Sequence, residues 1–410
     1  MKIVYILYDH PNCYSGPVVN IKRLLSELVI RGHQISVLIL YSGNHASSFK
    51  QLESNGVQCR VFRRQSWSLP EIRWILRQVR EIDPDVFVPN IVPPAYLAGK
   101  WIREAGIVTI GVTHSIDSFH SAIAQKFAVE ISDWQVSGLF CISEVVQKEL
   151  RTNNPQAPPL CSIPFGVPVP IEIVSAREPF QIIYLGRMEE EAKRISLILD
   201  TLNAVLNSDD CIKAQLTGEG SCSNKVIKYI EENNNKNRVK FTGSIDNERL
   251  HSALRGFSAI LLLSEYEGLP GALMDGMACG LVPIVSDIPG GVSELVQHEF
   301  NGLVVEPNPE AVVAAVKRLK SEVGLWERLS ANARQTIQEK YSLKAAADRW
   351  EQFAAELIAA QGEQSKKRVK IPLWFNLPPV HPAMSVEDRR YPPFREWISP
   401  WFRKIFPRHS

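Results

Sequence analysis

The residues best placed to do chemistry are a few carboxylates, two cations and one histidine. Glu265 and Glu267 directly follow the short apolar run 259–263, and Asp275 lies eight residues beyond Glu267. A continuous apolar run of that length is the pattern of a strand covered on both faces of a parallel sheet, and ligands bind at the carboxyl ends of such strands. Ionised carboxylates at a strand end accept hydrogen bonds from neighbouring hydroxyls, so they suit a polyhydroxylated ligand. Arg187 and Lys193 flank the acidic run Glu189-Glu190-Glu191 at another strand end. Taken alone, such a basic pair is most often a solvated face. His114 closes a third apolar run, 107–112, within Thr113-His114-Ser115; by itself it reads as a hydrogen-bonded loop histidine.

The elements that position these residues repeat one plan. Gly268 and Pro270 turn the chain after Glu267, and Leu273, Met274, Met277 and Ala278 recur at helical spacing from Gly271. Gly280 ends that helix before a buried strand at 282–286, and Asp275 falls about one turn inside it. At the other end of the chain, 3–8 reads as a strand, 9–16 as a loop, Val18 to Val29 as an amphipathic helix and 35–40 as the next strand. This βαβ unit brings Ser15-Gly16 to a helix N-terminus, where backbone N–H groups meet anions. A dinucleotide fingerprint needs three glycines at set spacing, and only Gly16 is present. Further strands are expected at 57–62, 86–88 and 138–142, with helices near 70–82 and 95–105. The stretch 153–170 is proline-rich and aperiodic, and reads as a linker. Beyond it, strands at 181–185, 214–217 and 239–241 end in Gly186-Arg187, Gly218-Glu219-Gly220 and Thr242-Gly243-Ser244-Ile245. Residues 301–305 read as a hairpin-like strand, and 309–320, 325–341 and 345–360 as helices.

Glu267-Gly268-Leu269-Pro270, the acidic residue 275 and Met277-Ala278-Cys279-Gly280 with Pro283 resemble the signature of retaining, nucleotide-sugar-dependent glycosyltransferases of the GT-B fold, of the glycosyl transferases group 1 / family 4 type. The resemblance covers roughly residues 1–360. It implies an α/β protein of two Rossmann-like, doubly wound domains facing across a cleft. It also implies the boundaries 1–165 for an acceptor domain, 166–344 for a donor domain, 345–361 for a crossover helix and 362–410 for a tail. In that family Glu267 holds donor sugar hydroxyls and the residue at 275, usually Glu, holds the ribose; Asp275 has the same chemistry one methylene shorter. Arg187 and Lys193 match the cations that hold the donor diphosphate, and His114 the histidine that contacts the donor sugar. Gly16 approaches the phosphates, Gly186 and Gly218 border the nucleotide, and backbone at Ser244 and Ile245 reads the base, with Gly268, Leu269 and Pro270 completing the donor set. Pro289-Gly290-Gly291 and Glu294 resemble a further turn, with Glu294 outside the direct contacts.

Composition sets the remaining limits. The 410 residues carry 46 basic and 44 acidic side chains, a net charge of +2, so no global field argues for nucleic acid. Seven cysteines, an odd number without metal-ligand spacing, argue against a disulfide framework and fit a reducing cytoplasm. No metal and no cofactor beyond the sugar nucleotide co-substrate is expected, because no Asp-x-Asp stands in a strand-end loop. In the tail, Lys366-Lys367-Arg368 and Arg389, Arg390, Arg395, Arg403 and Lys404 interleave with Trp374, Phe375, Trp397, Trp401, Phe402 and Phe406. Such a mixture favours anionic lipid heads; the competing reading is an arm packed on the first domain, and Pro400 speaks against one long helix. The expected activity is metal-independent, retaining transfer of a hexose from a nucleoside diphosphate sugar to a hydroxyl of a glycan or lipid-linked glycan, in cell-surface polysaccharide synthesis. Its place is cytoplasmic, with membrane association at the cytoplasmic face as a further expectation. A non-catalytic binding protein of the same fold, or a nucleotide-sugar epimerase, stays open as an alternative.

Overall fold

The computed structural model describes residues 1–10, 16–46, 48–114, 117–153, 157–171, 179–233, 235–288, 291–362 and 365–389. Two compact units divide the chain: residues 1–163 with 347–410, and residues 164–346. Both are parallel sheets sandwiched by helices, the arrangement of two Rossmann-like domains.

The first unit holds β1 (Lys2–Asp9), β2 (Gln34–Tyr41), β3 (Gln58–Arg63), β4 (Val86–Asn90), β5 (Val108–Thr113), β6 (Gly138–Cys141) and β7 (Leu160–Ser162), in the order β3-β2-β1-β4-β5-β6-β7. All neighbours are parallel. Unbroken apolar runs explain this: Ile3, Val4, Tyr5, Ile6 and Leu7 are all buried, so both faces of β1 must be covered by helices. The stretch read as a linker contains β7, which adds to β6 at the sheet edge; three residues are too few to show strand periodicity. The helix Leu343–Gln361 starts in the second unit and continues into the first, where Trp350, Phe353 and Leu357 pack on the β1 side of the sheet. Trp350 Nε1 donates to Tyr5 Oη at 2.7 Å.

In the second unit β8 (Gln181–Leu185), β9 (Lys213–Thr217), β10 (Val239–Phe241), β11 (Ala259–Leu262), β12 (Val282–Ser286) and β13 (Leu303–Val305) run in the order β10-β9-β8-β11-β12-β13, again all parallel. The expected hairpin at 301–305 is corrected: β13 pairs in parallel with β12, after a helix and a turn. The order reverses between β8 and β11, which leaves a crevice at their carboxyl ends.

Of the tail, residues 365–389 lie on the first unit. Val369 and Met384 are buried in its core, and the Ser68 N–H donates to the Arg389 carbonyl. The basic and aromatic residues from Arg390 to Phe406 lie outside the described residues. No helix among the described residues is long and apolar enough to cross a membrane.

Candidate active site

The crevice between β8 and β11 collects most of the residues singled out from the sequence. The loop after β8 and the loop after β11 are joined three times. Glu265 N–H donates to the Ala192 carbonyl at 2.9 Å, Lys193 pairs with Glu267, and Arg194 pairs with Glu265. Lys193 and Glu267 are mostly withdrawn from solvent, at 13% and 11% side-chain exposure. Their attraction is therefore weakly screened. Ser264 Oγ donates to the same Glu267 oxygen at 2.7 Å, which fixes the carboxylate from the strand side.

Local backbone explains how Lys193 arrives there. The Arg194 N–H closes a turn on the Glu190 carbonyl at 3.0 Å, and Arg194 itself adopts a left-handed conformation at φ 50° before the helix Ile195–Ser208 begins. That conformation is costly for a residue with a Cβ, and the Glu265 pair and the turn hold it in place. Glu190 accepts from the Ser196 N–H at 3.2 Å, so it serves the start of that helix. Arg187 behaves differently. Its side chain is 70% exposed and pairs with Glu189 at 2.8 Å. It stands at the rim of the crevice.

Glycines at 218 and 220 shape the next turn. Gly218 has φ +136°, and a Cβ there would lie 1.9 Å from the Gly186 carbonyl oxygen; at Gly220 it would lie 2.3 Å from that of Met188. Only glycine fits this close approach of backbones. Gly218 N–H donates to the Gly243 carbonyl at 2.7 Å and Met188 N–H to the Glu219 carbonyl at 3.0 Å, so the ends of β8, β9 and β10 form one cradle. Ser244 Oγ donates to Glu219 at 3.0 Å and leaves its backbone in the turn with Ile245.

Asp275 lies in the helix Gly271–Ala278, which follows Leu269 and Pro270, and is 5% exposed. Its Oδ1 is 3.0 Å from His251 Nε2 of the helix Asn247–Leu254. Nothing in the sequence marks this partner: His251 is an ordinary polar position on a helix. Gly291 N–H donates to the Gly268 carbonyl at 2.6 Å and packs the Glu267 loop against the helix Gly291–Leu295. That helix carries Glu294, whose carbonyl accepts from Tyr341 Oη.

His114 belongs to the first unit, just beyond β5. It is buried, with Nε2 3.0 Å from Asn90 Oδ1. An amide oxygen only accepts, so Nε2 carries the proton of that bond. Burial, and then the nearby His120, push its pKa down to about 3. Asn90 has φ 53° where the pairing of β4 with β5 slips out of register. Such irregularities re-aim a side chain at a strand end. Gly16 opens the helix Gly16–Ile30; Ser15, Ser115 and Gly290 lie outside the described residues.

Burial raises the thiols of Cys59, Cys141 and Cys279 to about 12, so none is a thiolate nucleophile at neutral pH. Among the described residues no group of three or more His, Cys, Asp and Glu is placed to hold a metal ion.

Comparison with known proteins agrees with this architecture. The model for glycosyl transferases group 1 matches residues 171–336, and the model for Glycosyltransferase Family 4 matches residues 14–169. The lipopolysaccharide core biosynthesis glycosyltransferase LpsD of Rhizobium meliloti is 24% identical over 361 residues, 85% of this chain and 96% of that protein. The poly(ribitol-phosphate) alpha-N-acetylglucosaminyltransferase of Staphylococcus aureus is 26% identical over 185 residues, 44% of this chain and 37% of that one. The chain spans less than half the length of this and other curated relatives it matches. The crystal structure of HepE from Anabaena in complex with UDP superposes with a TM-score of 0.69 at 17% identity, covering 87% of this chain and 100% of that one. With a group 1 match over its second unit and a family 4 match over its first, the chain belongs to the group 1 glycosyltransferases.

Proposed function

We propose that this chain transfers a hexose from a nucleoside diphosphate sugar to a hydroxyl of a glycan or lipid-linked glycan, with retention at the anomeric carbon and without a metal ion. The observation that carries the reading is the Lys193–Glu267–Ser264 cluster at the carboxyl end of β11, beside the glycine cradle. A cation and an acceptor-only carboxylate lie side by side there. Donor binding exchanges their mutual pairing for two better-matched partners: diphosphate oxygens for Lys193 and sugar hydroxyls for Glu267. Arg187, exposed and held by Glu189 alone among the described residues, leaves that partner to complete the diphosphate clamp. Asp275, held by His251, takes the ribose hydroxyls, and backbone at Ser244 and Ile245 takes the base.

Charge develops on the leaving diphosphate as the glycosidic bond breaks. Lys193 and Arg187 stabilise it more in the transition state than in the ground state, the role a divalent metal fills elsewhere. No side chain acts as a covalent nucleophile; the departing phosphate takes the acceptor proton. His114, neutral and oriented by Asn90, is carried over by resemblance as the residue that contacts the transferred sugar. HepE has been crystallised with UDP-glucose, and LpsD and a colanic acid glycosyltransferase are named for surface-glycan synthesis, which supports a uridine nucleotide donor and a polysaccharide or lipopolysaccharide acceptor here. Contact of the tail with the cytoplasmic face of a membrane is part of this reading.

The test is calorimetric titration with UDP-, GDP- and ADP-sugars in the presence of a chelator, with Arg187→Ala and Glu267→Ala alongside. Binding of one donor that both substitutions weaken, followed by transfer with retained configuration, establishes the reading. A folded protein that binds none of them overturns it.

A further inference from the structure

A cavity of about 510 Å3 on the first unit is lined by none of the residues of the proposed donor site. Its wall is the tail segment 368–372, and the opposite side is formed by Arg80, Trp101 and Glu104. Glu104 is held by Lys100 at 3.0 Å. Among the described residues, Arg80, Arg368 and Lys370 make no ion pair with a carboxylate, so the cavity lining carries three cations against the single carboxylate of Glu104, whose Lys100 partner also pairs with Asp133. Arg73, Arg77 and Arg80 recur at i, i+4 and i+7 on the helix Ser68–Ile82, which puts a basic stripe beside the same opening.

The tail presents an apolar edge next to these charges, and it is pinned there. Lys366 pairs with Asp85 at 2.6 Å, and Lys367 N–H donates to the Ala105 carbonyl at 2.8 Å. The Arg73 guanidinium donates to the Leu373 carbonyl at 3.3 Å and sits 5.5 Å over the Phe375 ring, which meets Trp101 edge-on at 5.2 Å. With Phe375 turned inward and the backbone tied on both sides, Leu373 and Trp374 stand 85% and 90% exposed. A fixed chain that holds a leucine and a tryptophan in water beside a surplus of cations has the composition of a membrane-interface contact.

We propose that this face docks on an anionic bilayer, with a lipid phosphate entering the Arg80–Arg368–Lys370 cavity and Leu373 and Trp374 seated at the headgroup boundary. Charge complementarity decides the occupant: a phosphate supplies the negative charge the cavity lacks, and a surrounding lipid surface supplies the apolar partner that a soluble phosphate does not. The docking deepens the proposed membrane contact and is independent of the transfer chemistry, which donor binding reads separately.

The experiment is cosedimentation of the full chain with phosphatidylcholine vesicles, with and without phosphatidylglycerol, beside titration with inorganic phosphate. Partition onto the anionic vesicles alone is expected, weakening at high salt. Arg368→Glu combined with Lys370→Glu is expected to lower it more than about tenfold, at roughly fivefold or more per charge, and Trp374→Ser several-fold. Donor titration of the same variants shows that they fold. Wild-type protein that ignores anionic vesicles, variants that partition like wild type, or phosphate binding in the cavity without vesicle partition each overturn the proposal.

Discussion

Lys193 and Glu267 neutralise each other until a donor arrives, so removing either does two things at once. It deletes a donor contact and leaves the other charge without its partner in a withdrawn site. Lys193→Ala is expected to lower kcat by about 10²–10³-fold, the usual loss for one group that meets developing charge. The double variant with Glu267→Gln is expected to lose less than the product of the two single losses, because the residues act as a unit. Steady-state kinetics of the four proteins checks this; strict multiplicativity would separate their roles. His114 carries a different prediction. Its folded pKa of about 3 lies below the ordinary 6.5, so between those values the unfolded chain binds a proton that the folded chain refuses. Its contribution is present above pH 6.5 and is lost as pH falls toward 3. His114→Asn is expected to flatten the fall of stability over that window, and denaturant midpoints measured across it read the effect; parallel curves would argue against a buried neutral imidazole. Glu267 and Asp275 stand out in the sequence by their place at a strand end and a helix start, and Lys193 only by its resemblance to the family's cation, since a bare basic pair reads as a solvated face. Asn90 and His251 do not stand out, since a left-handed asparagine at a bulge and a histidine on a helix face acquire meaning only from distant partners.

At the scale of elements, parallel strands were easy to read, because a strand covered on both faces is written as an unbroken apolar run. β7 escaped: at an edge it needs only three residues, and the surrounding prolines read as linker. The direction of β13 also escaped, since an apolar triplet does not say whether its chain returns by a hairpin or by a crossover. Glycine turns are the opposite case, with a strict requirement visible in one residue. The Gly218 turn is held to the ends of β8 and β10 by backbone bonds, so Gly218→Ala cannot be absorbed by a rotating side chain: its methyl meets a carbonyl oxygen. The expected result is loss of nucleotide binding greater than that of Gly256→Ala, where nothing lies within 4 Å of the new Cβ. Donor titration of both variants compares them; equal affinities would mean that the cradle relaxes freely.

The whole molecule is two units threaded by one chain that leaves the first, builds the second and returns. The return is structural as well as topological. Beyond the helix Leu343–Gln361, the segment 365–389 puts Val369 at 4% and Met384 at 1% exposure into the first unit's core, alongside helices that precede it by hundreds of residues in sequence. No periodicity marks this segment, and its prolines and charges look like those of a free tail; only the partners of two apolar residues show that it is part of a domain. Ending the chain after Gly362 therefore removes core and not appendage. Burying two such side chains contributes about 3–6 kcal/mol, an upper figure for a chain that is already partly compact when unfolded. The truncated protein is expected to lose stability in the first unit, while the second unit, which carries Arg187, Lys193, Glu267 and Asp275, keeps its transition and its donor-induced shift. Calorimetry with and without the donor separates the two. A single transition that moves as a whole would show the units to be thermodynamically fused, and an unchanged first transition would show that Val369 and Met384 merely rest on a core complete without them.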